Sequence, residues 1–406
     1  MTQNLPLSGV RIVELATIVA APTVGRVMAA YGADVIKVET LNGDGLRPFG
    51  KGHCLPTEAG NSPLFDLYNS GKKFASLDLK TEEGQAAFHR LLDTADVFLT
   101  NVRYKGLERM GLDYDTLKVK YPRLVYAHFS GFGLKGEDAD RAGYDMTAFW
   151  MRSGALLDWL LPGSFPMRPT FAFGDIATAA YFLSGIMMAL YARGTTGKGT
   201  MVSTSLLNAG IWCNSAYVLN AQPPYNREYP MDRYDPWNPF AEWYQCSDGE
   251  WVAVFEKRYA KDRFVFAKLF DMPELAEDPD LEDLTKMRQS GKLPWVTKRV
   301  SEAFLKKPSQ EWLKILSEHD IATELLVHFK DVCHDRQAWE NQSFDKVDYP
   351  DGAQVAMPAP PIVFPEYERR PFSVNQGIGQ DTDEVLRDVG YSNAEIAELK
   401  AKHIAR

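Results

Sequence analysis

As far as residue 130, short β-rich runs alternate with amphipathic stretches, and few folds accommodate that alternation. Val10 to Leu15, Asp34 to Val38, Phe74 to Leu79, Val97 to Thr100 and Leu124 to Phe129 are rich in the β-branched and aromatic residues that suit strands. Between them Val24 to Tyr31, Glu82 to Thr94 and Tyr114 to Lys120 have helical spacing. Strands that are apolar on both faces need helices above and below, so the pattern predicts a parallel α/β sheet.

Further along, a helix is expected from Asp175 to Ala192, ending at Gly194, followed by a strand over Gly199 to Ser205 and an apolar helix over Leu206 to Leu219. Gln222 to Phe240 holds five prolines, a composition that forbids regular structure and marks a linker or lid. The organisation expected is a large α/β domain over 1–221, a smaller α+β domain over 222–330 with the proline-rich linker at its start, and a segment over 331–406. That last segment carries helix candidates at Thr382 to Asp388 and Asn393 to Lys402 and is expected to return to the large domain.

Composition narrows the function. With 406 residues and a formal charge of −9, the chain has no basic stripe for nucleic acid, so an anionic ligand needs a local cationic pocket. Four cysteines, Cys54, Cys213, Cys246 and Cys333, form no CxxC pair, so neither a disulfide framework nor a metal site is implied, and a reducing cytoplasm is expected. Met1 to Leu7 lacks the charged and apolar regions of a signal peptide. The apolar run Ile176 to Ala192, interrupted by Thr178, Ser184 and Gly185, suits a buried helix rather than a membrane span.

Two glycine motifs mislead. Gly131 to Gly136 spells GxGxxG after a strand, but the continuation Glu137-Asp138-Ala139-Asp140 is acidic, opens no helix and would repel a pyrophosphate. Gly194 to Thr200 contains a GKG without the spacer that shapes a P-loop, and reads as a helix cap and turn. The aromatic and sulfur residues Trp150, Met151, Trp159, Phe171 and Phe173 are most economically core packing.

Asp175 follows Phe173-Gly174 and precedes the long apolar helix, the place of an N-cap, where free N–H groups and the helix dipole would keep its carboxylate ionised. A cap is one reading of it; a nucleophilic carboxylate is the other. The surrounding sequence resembles the family III CoA-transferases (CaiB/BaiF type) in ordered blocks along the chain. These are Val10 to Leu15, Ala20 to Pro22, Gly32 to Glu39, Asn69 to Lys73, Leu77 to Lys80, Ala95 to Val97, Asn101 to Arg103, Arg109 to Gly111, Gly143 to Asp145, Phe173 to Asp175, and Thr196 to Gly199.

The resemblance implies a large Rossmann-like domain with a smaller α+β domain, an interlocked homodimer, and no tightly bound cofactor or metal, with acyl-CoA as a substrate. It puts Asp175 at the catalytic aspartate position, where an acyl-CoA and a carboxylic acid exchange CoA through an aspartyl-CoA thioester. It puts the CoA site at Val19, Ala20, Leu77, Lys80, Asn101, Val102, Arg103, Arg109, Met110, Ala142, Gly143, Tyr144 and Asp145. Lys80, Arg103 and Arg109 would meet phosphates, and Leu77 and Met110 would flank adenine.

Within the family, Tyr144 to Phe149, Asn238-Pro239-Phe240 and Asp383 to Leu386 look like the transferases of 2-hydroxy acids such as phenyllactate and 2-hydroxyisocaproate. The formyl-CoA branch has glutamine where Val19 stands and a basic residue where Thr40 stands, which disfavours formyl transfer. The alternative on the same fold is an acyl-CoA racemase, whose branch has a histidine where Tyr144 stands. A tyrosine is a poor α-proton base at neutral pH.

Overall fold

Six short strands run parallel in the order β3-β2-β1-β4-β5-β6: β1 (Arg11–Leu15), β2 (Asp34–Glu39), β3 (Lys73–Ser76), β4 (Val97–Thr100), β5 (Val125–Ser130) and β6 (Met201–Ser205). The coordinates are a computed structural model, described for residues 5–406; most of the amino-terminal stretch read above for a signal, residues 1–4, lies outside them. The order reverses between β1 and β4, and in such sheets the carboxyl ends of the strands at the reversal open a crevice.

The described residues divide into two compact units, one of residues up to 156, 168–220 and 336–406, the other of residues 157–167 and 221–335. In the first, helices α1 (Ala20–Ala30), α2 (Pro63–Asn69), α3 (Glu82–Leu92), α4 (Tyr104–Arg109) and α5 (Tyr114–Lys120) connect the strands. A π-helical turn (Asp145–Met151), the single turn α6 (Ala155–Asp158) and the long α7 (Phe173–Thr196) separate β5 from β6, and α8 (Leu206–Cys213) and α9 (Ser215–Asn220) follow. Local chemistry sets the ends. Thr81 Oγ1 accepts the Gly84 N–H at 3.1 Å to cap α3, with Glu82 and Glu83 in its first turn. Gly197, at φ 70°, stops α7, so the helix passes the expected end at Gly194 by a turn.

The remaining differences from the pattern reading are local. Helix α1 begins at Ala20 rather than Val24, because Pro22 lies in the first turn, where its missing N–H is no loss. Strand β3 stops at Ser76. The expected helix over Leu206 to Leu219 breaks at Asn214, whose amide donates to the Gly210 carbonyl at 2.7 Å and to Ser153 Oγ at 3.2 Å. Helix α7 is buried on one face only: Tyr181, Met188 and Tyr191 stand exposed, Tyr191 at 83%. It is long and apolar enough to cross a membrane by length and composition.

Residues after the hairpin β10 (Phe344–Asp348) and β11 (Gln354–Pro358) close the β3 edge. Phe74 N–H donates to Asp381 Oδ2 at 2.8 Å, Ser76 N–H to Thr382 Oγ1 at 3.1 Å, and Asp381 N–H to the Phe74 carbonyl at 2.9 Å. An edge so covered offers no free ladder. The second unit has an antiparallel sheet, β7 (Trp243–Gln245), β8 (Trp251–Phe255) and β9 (Ala322–Leu325), and an aromatic core in which Phe240 stacks on Phe266 at 4.3 Å. Asn238 and Phe240, quoted above for likeness to 2-hydroxy acid enzymes, build that unit: Asn238 Nδ2 donates to the Glu256 carbonyl at 2.9 Å.

Beneath the carboxyl ends of β1 and β2 lies a fully buried charge network. Lys37 Nζ sits 3.0 Å from Glu14 and 2.8 Å from Asp44, and Lys72 Nζ is 2.9 Å from the same Glu14. Two carboxylates outweigh the burial that would otherwise discharge Lys37, whose pKa is raised, while Lys72, buried and sharing Glu14 with Lys37, is lowered to about 7. Lys37→Met is expected to destabilise the protein by about 3–5 kcal/mol, since it leaves two buried carboxylates facing one ammonium; urea unfolding at pH 7 measures it.

Candidate active site at the strand-order reversal

The first βα turn is the most constrained backbone of the site. Ile18 is left-handed at φ 68°, and its N–H donates to Asp44 Oδ1 at 3.0 Å, the same carboxylate that binds Lys37. Thr17 beside it is clamped across the reversal: its N–H donates to Asn101 Oδ1 at 3.0 Å, and Asn101 Nδ2 donates to the Thr17 carbonyl at 2.8 Å. Asn101, expected to touch a ligand, thus spends its amide on holding the turns after β1 and β4 together.

Next to that clamp, Val102, Arg103, Lys105, Gly106, Arg109 and Asp140 line a cleft of about 340 Å³. Val102, Arg103 and Arg109 of the expected CoA contacts converge here. Lys105, Gly106 and Asp140 were not singled out in the sequence. Lys105 stands one helical turn before Arg109, so the run from Arg103 to Arg109 holds the signal; Asp140, which ion-pairs with Lys105, arrives by a long loop and leaves none.

Other expected contacts lie apart from the cleft lining. Val19 and Ala20 begin α1 with buried side chains. Leu77 is 1% exposed within the core beneath the sheet, so its side chain is not placed to flank adenine as expected. Met110 caps the end of α4 and packs partly against the same core, and Lys80 is an exposed residue of the β3–α3 connection. Ala142, Gly143 and Tyr144 belong to the loop that follows Asp140. There the Cα of Gly143 meets that of Gly131 so closely that a Cβ on either would come within 2.5 Å of the other. This contact, and not a pyrophosphate, accounts for the first glycine of the GxGxxG, and the chain after it is loop rather than helix.

Asp175 is not the N-cap. The cap position is Ala172, left-handed at φ 60°, which puts Asp175 third in α7, 9% exposed. Its own N–H donates to Asp145 Oδ1 at 3.0 Å, and the Gly174 N–H serves the same carboxylate. Two of the amides expected to keep Asp175 ionised are therefore spent on Asp145. Burial, and then the Asp145 charge, push the Asp175 carboxyl up from 3.8 to about 7. Tyr68 of α2 faces the pair: burial and the two carboxylates push its phenol up to about 12. Val19, Tyr68 and Ala172 share one apolar cluster, which joins the first βα turn to the start of α7. Phe171, whose ring stacks on Phe49 at 5.1 Å, packs at its edge.

A carboxyl that folding holds neutral weakens the fold once it must ionise. Its contribution is complete below the unfolded value near 4 and is lost as the pH rises through about 7. Asp175→Asn is therefore expected to raise the thermal midpoint at pH 8 and to change it little at pH 5, by differential scanning calorimetry.

The model for "CoA-transferase family III" matches residues 7–382. A curated "(R)-2-hydroxy-4-methylpentanoate CoA-transferase" of Clostridioides difficile is 33% identical over 400 residues, 98% of this chain and 99% of that protein. The "Cinnamoyl-CoA:phenyllactate CoA-transferase" of Clostridium sporogenes is 34% identical over 396 residues, covering 97% and 95%. A crystal structure of a CAIB/BAIF family protein from Brucella suis superposes with a TM-score of 0.76 at 27% identity, covering 95% of this chain and 100% of that one. The parallel sheet, the cleft at its reversal and these matches together make the chain a member of CoA-transferase family III, an acyl-CoA:carboxylate CoA-transferase.

Proposed function

We propose that this enzyme moves CoA from an acyl-CoA to a 2-hydroxy acid through a covalent thioester on Asp175. The observation that carries the reading is a carboxyl, 9% exposed, in the first turn of α7, its own N–H held by Asp145, in the same compact unit as the cationic cleft. The loop that supplies Asp140 to the cleft runs on to Asp145, against the Asp175 backbone.

In the proposed cycle the Asp175 carboxylate attacks the thioester carbonyl, the C–S bond breaks, and an anhydride and free CoA thiolate result. The thiolate attacks the aspartyl carbonyl, forming aspartyl-CoA and releasing the first acid as its carboxylate. The acceptor carboxylate then attacks aspartyl-CoA, and the expelled thiolate attacks the acceptor's carbonyl to give the new acyl-CoA and free Asp175. No net proton is taken up, and thioester energy is conserved without ATP. A carboxyl near 7 gives a more basic nucleophile than an ordinary aspartate and is still half ionised at neutrality.

Arg103, Lys105 and Arg109 provide the positive field for the CoA phosphates, Lys105 exchanging its Asp140 partner for phosphate oxygens. The similarity to relatives named for 2-hydroxy-4-methylpentanoate and phenyllactate supports a 2-hydroxy acid with a bulky apolar side chain as acceptor. The exposed apolar face of α7 supports a homodimer in which a second copy covers it, and the cysteine usage supports the cytoplasm. Tyr144, 66% exposed, stands where the racemase branch has its histidine, which favours transfer over racemisation.

Incubation with acyl-CoA followed by hydroxylamine and mass spectrometry is expected to label Asp175, and Asp175→Ala to abolish both label and transfer. A label at another residue, or deuterium entering at Cα without transfer to a second acid, would overturn the reading. The kcat/KM should rise with pH through about 7 as the nucleophile ionises, following a single ionisation. Arg103→Ala and Arg109→Ala should each raise KM for acyl-CoA about tenfold with little change in kcat.

A further inference from the structure

Family likeness assigns Asp145 to the CoA contacts, yet its carboxylate is engaged elsewhere. Its Oδ1 accepts the Asp175 N–H at 3.0 Å, and the Gly174 N–H serves the same carboxylate. The residue at the cap position of α7, Ala172, has no side-chain acceptor, so the helix that presents Asp175 is capped from 30 residues away in sequence. The approach is close by construction: a Cβ on Gly174 would fall 2.3 Å from Asp145 Oδ1 and 2.4 Å from the Phe149 ring. Only glycine admits both neighbours.

We propose that Asp145 is the positioning residue of the nucleophile: it holds the first turn of α7 so that the Asp175 carboxyl is fixed in place, and its negative charge keeps that carboxyl basic. The proposal rests on the reading of Asp175 as the nucleophile. The charged group that acts on Asp175 is Asp145, from the π-helical turn; the phenol of Tyr68, from α2, lies near enough to feel both carboxylates. Tyr68 stays a neutral phenol through the working range, so Asp145 is the neighbour whose charge matters there.

Two substitutions separate the roles. Asp145→Asn keeps the oxygen acceptor and loses the charge; Asp145→Ala loses both. With 4-methylpentanoyl-CoA as donor and 2-hydroxy-4-methylpentanoate as acceptor, Asp145→Asn is expected to move the acid limb of kcat/KM to lower pH, with kcat at pH 8 within about fivefold of the parent. Asp145→Ala should lower kcat about a hundredfold while KM for the donor moves by less than about threefold.

An acid limb that stays in place in Asp145→Asn overturns the proposal, as does an Asp145→Ala protein with raised KM and parental kcat, the signature of a CoA contact. If Asp145→Ala fails to fold, the pH profile of Asp145→Asn decides alone. Hydroxylamine labelling of the parent enzyme in the same series separates the two readings. A label away from Asp175 removes the nucleophile; a label on Asp175 with kinetics unmoved in both variants removes only the role of Asp145.

Discussion

Two lysines and two carboxylates buried beneath β1 and β2 are the constraint on which the site depends. Burying charge is costly, and Lys37, at 0% exposure, is tolerable only because Glu14, Asp44 and the Ala16 carbonyl, at 2.6 Å, surround its ammonium. Apolar replacement of all four groups would preserve volume but strand the backbone. Asp44 accepts the N–H groups of Ile18 and Leu46, at 3.0 and 2.9 Å, and Lys72 donates to the Pro22 carbonyl at 2.8 Å. The network therefore fixes where the chain goes after β1 as well as balancing charge.

From there the constraint passes outward through contacts. Ile18, held left-handed, sets Thr17 against Asn101, and that clamp spans the reversal at which the cleft opens. Val19, the next residue, packs in the cluster that also contains Tyr68 and Ala172, so the same turn abuts the start of α7. One left-handed turn thus ties the cationic cleft to the carboxyl through short connections on the sheet.

Periodicity made the sheet legible, because parallel strands are apolar on both faces and the helices between them are not. It could not show which neighbours share a charge. Asp140 reaches Lys105, and Asp145 reaches Asp175, through a loop whose path depends on the Gly131 and Gly143 backbones crossing. Asn101 and Leu77 show the other limit. Both stand in blocks that resemble a CoA-transferase, and in the fold one clamps the Thr17 backbone and the other packs in the core, placements that only hydrogen-bond partners and burial reveal. Gly197 rather than Gly194 ends α7 for a similar reason: both glycines are permissive, and it is the turn back toward β6 that selects one.

The carboxyl of Asp175 is the clearest case of a local rule overridden. A helix start favours an anion by about 0.3–2 kcal/mol, and only where its N–H groups are free to face the charge. Here Asp145 has taken two of them. A carboxyl displaced from 3.8 to about 7 corresponds to about 4 kcal/mol against the charged form, larger than the dipole can offset. Burial and a like charge win, and the same balance weakens the fold at high pH.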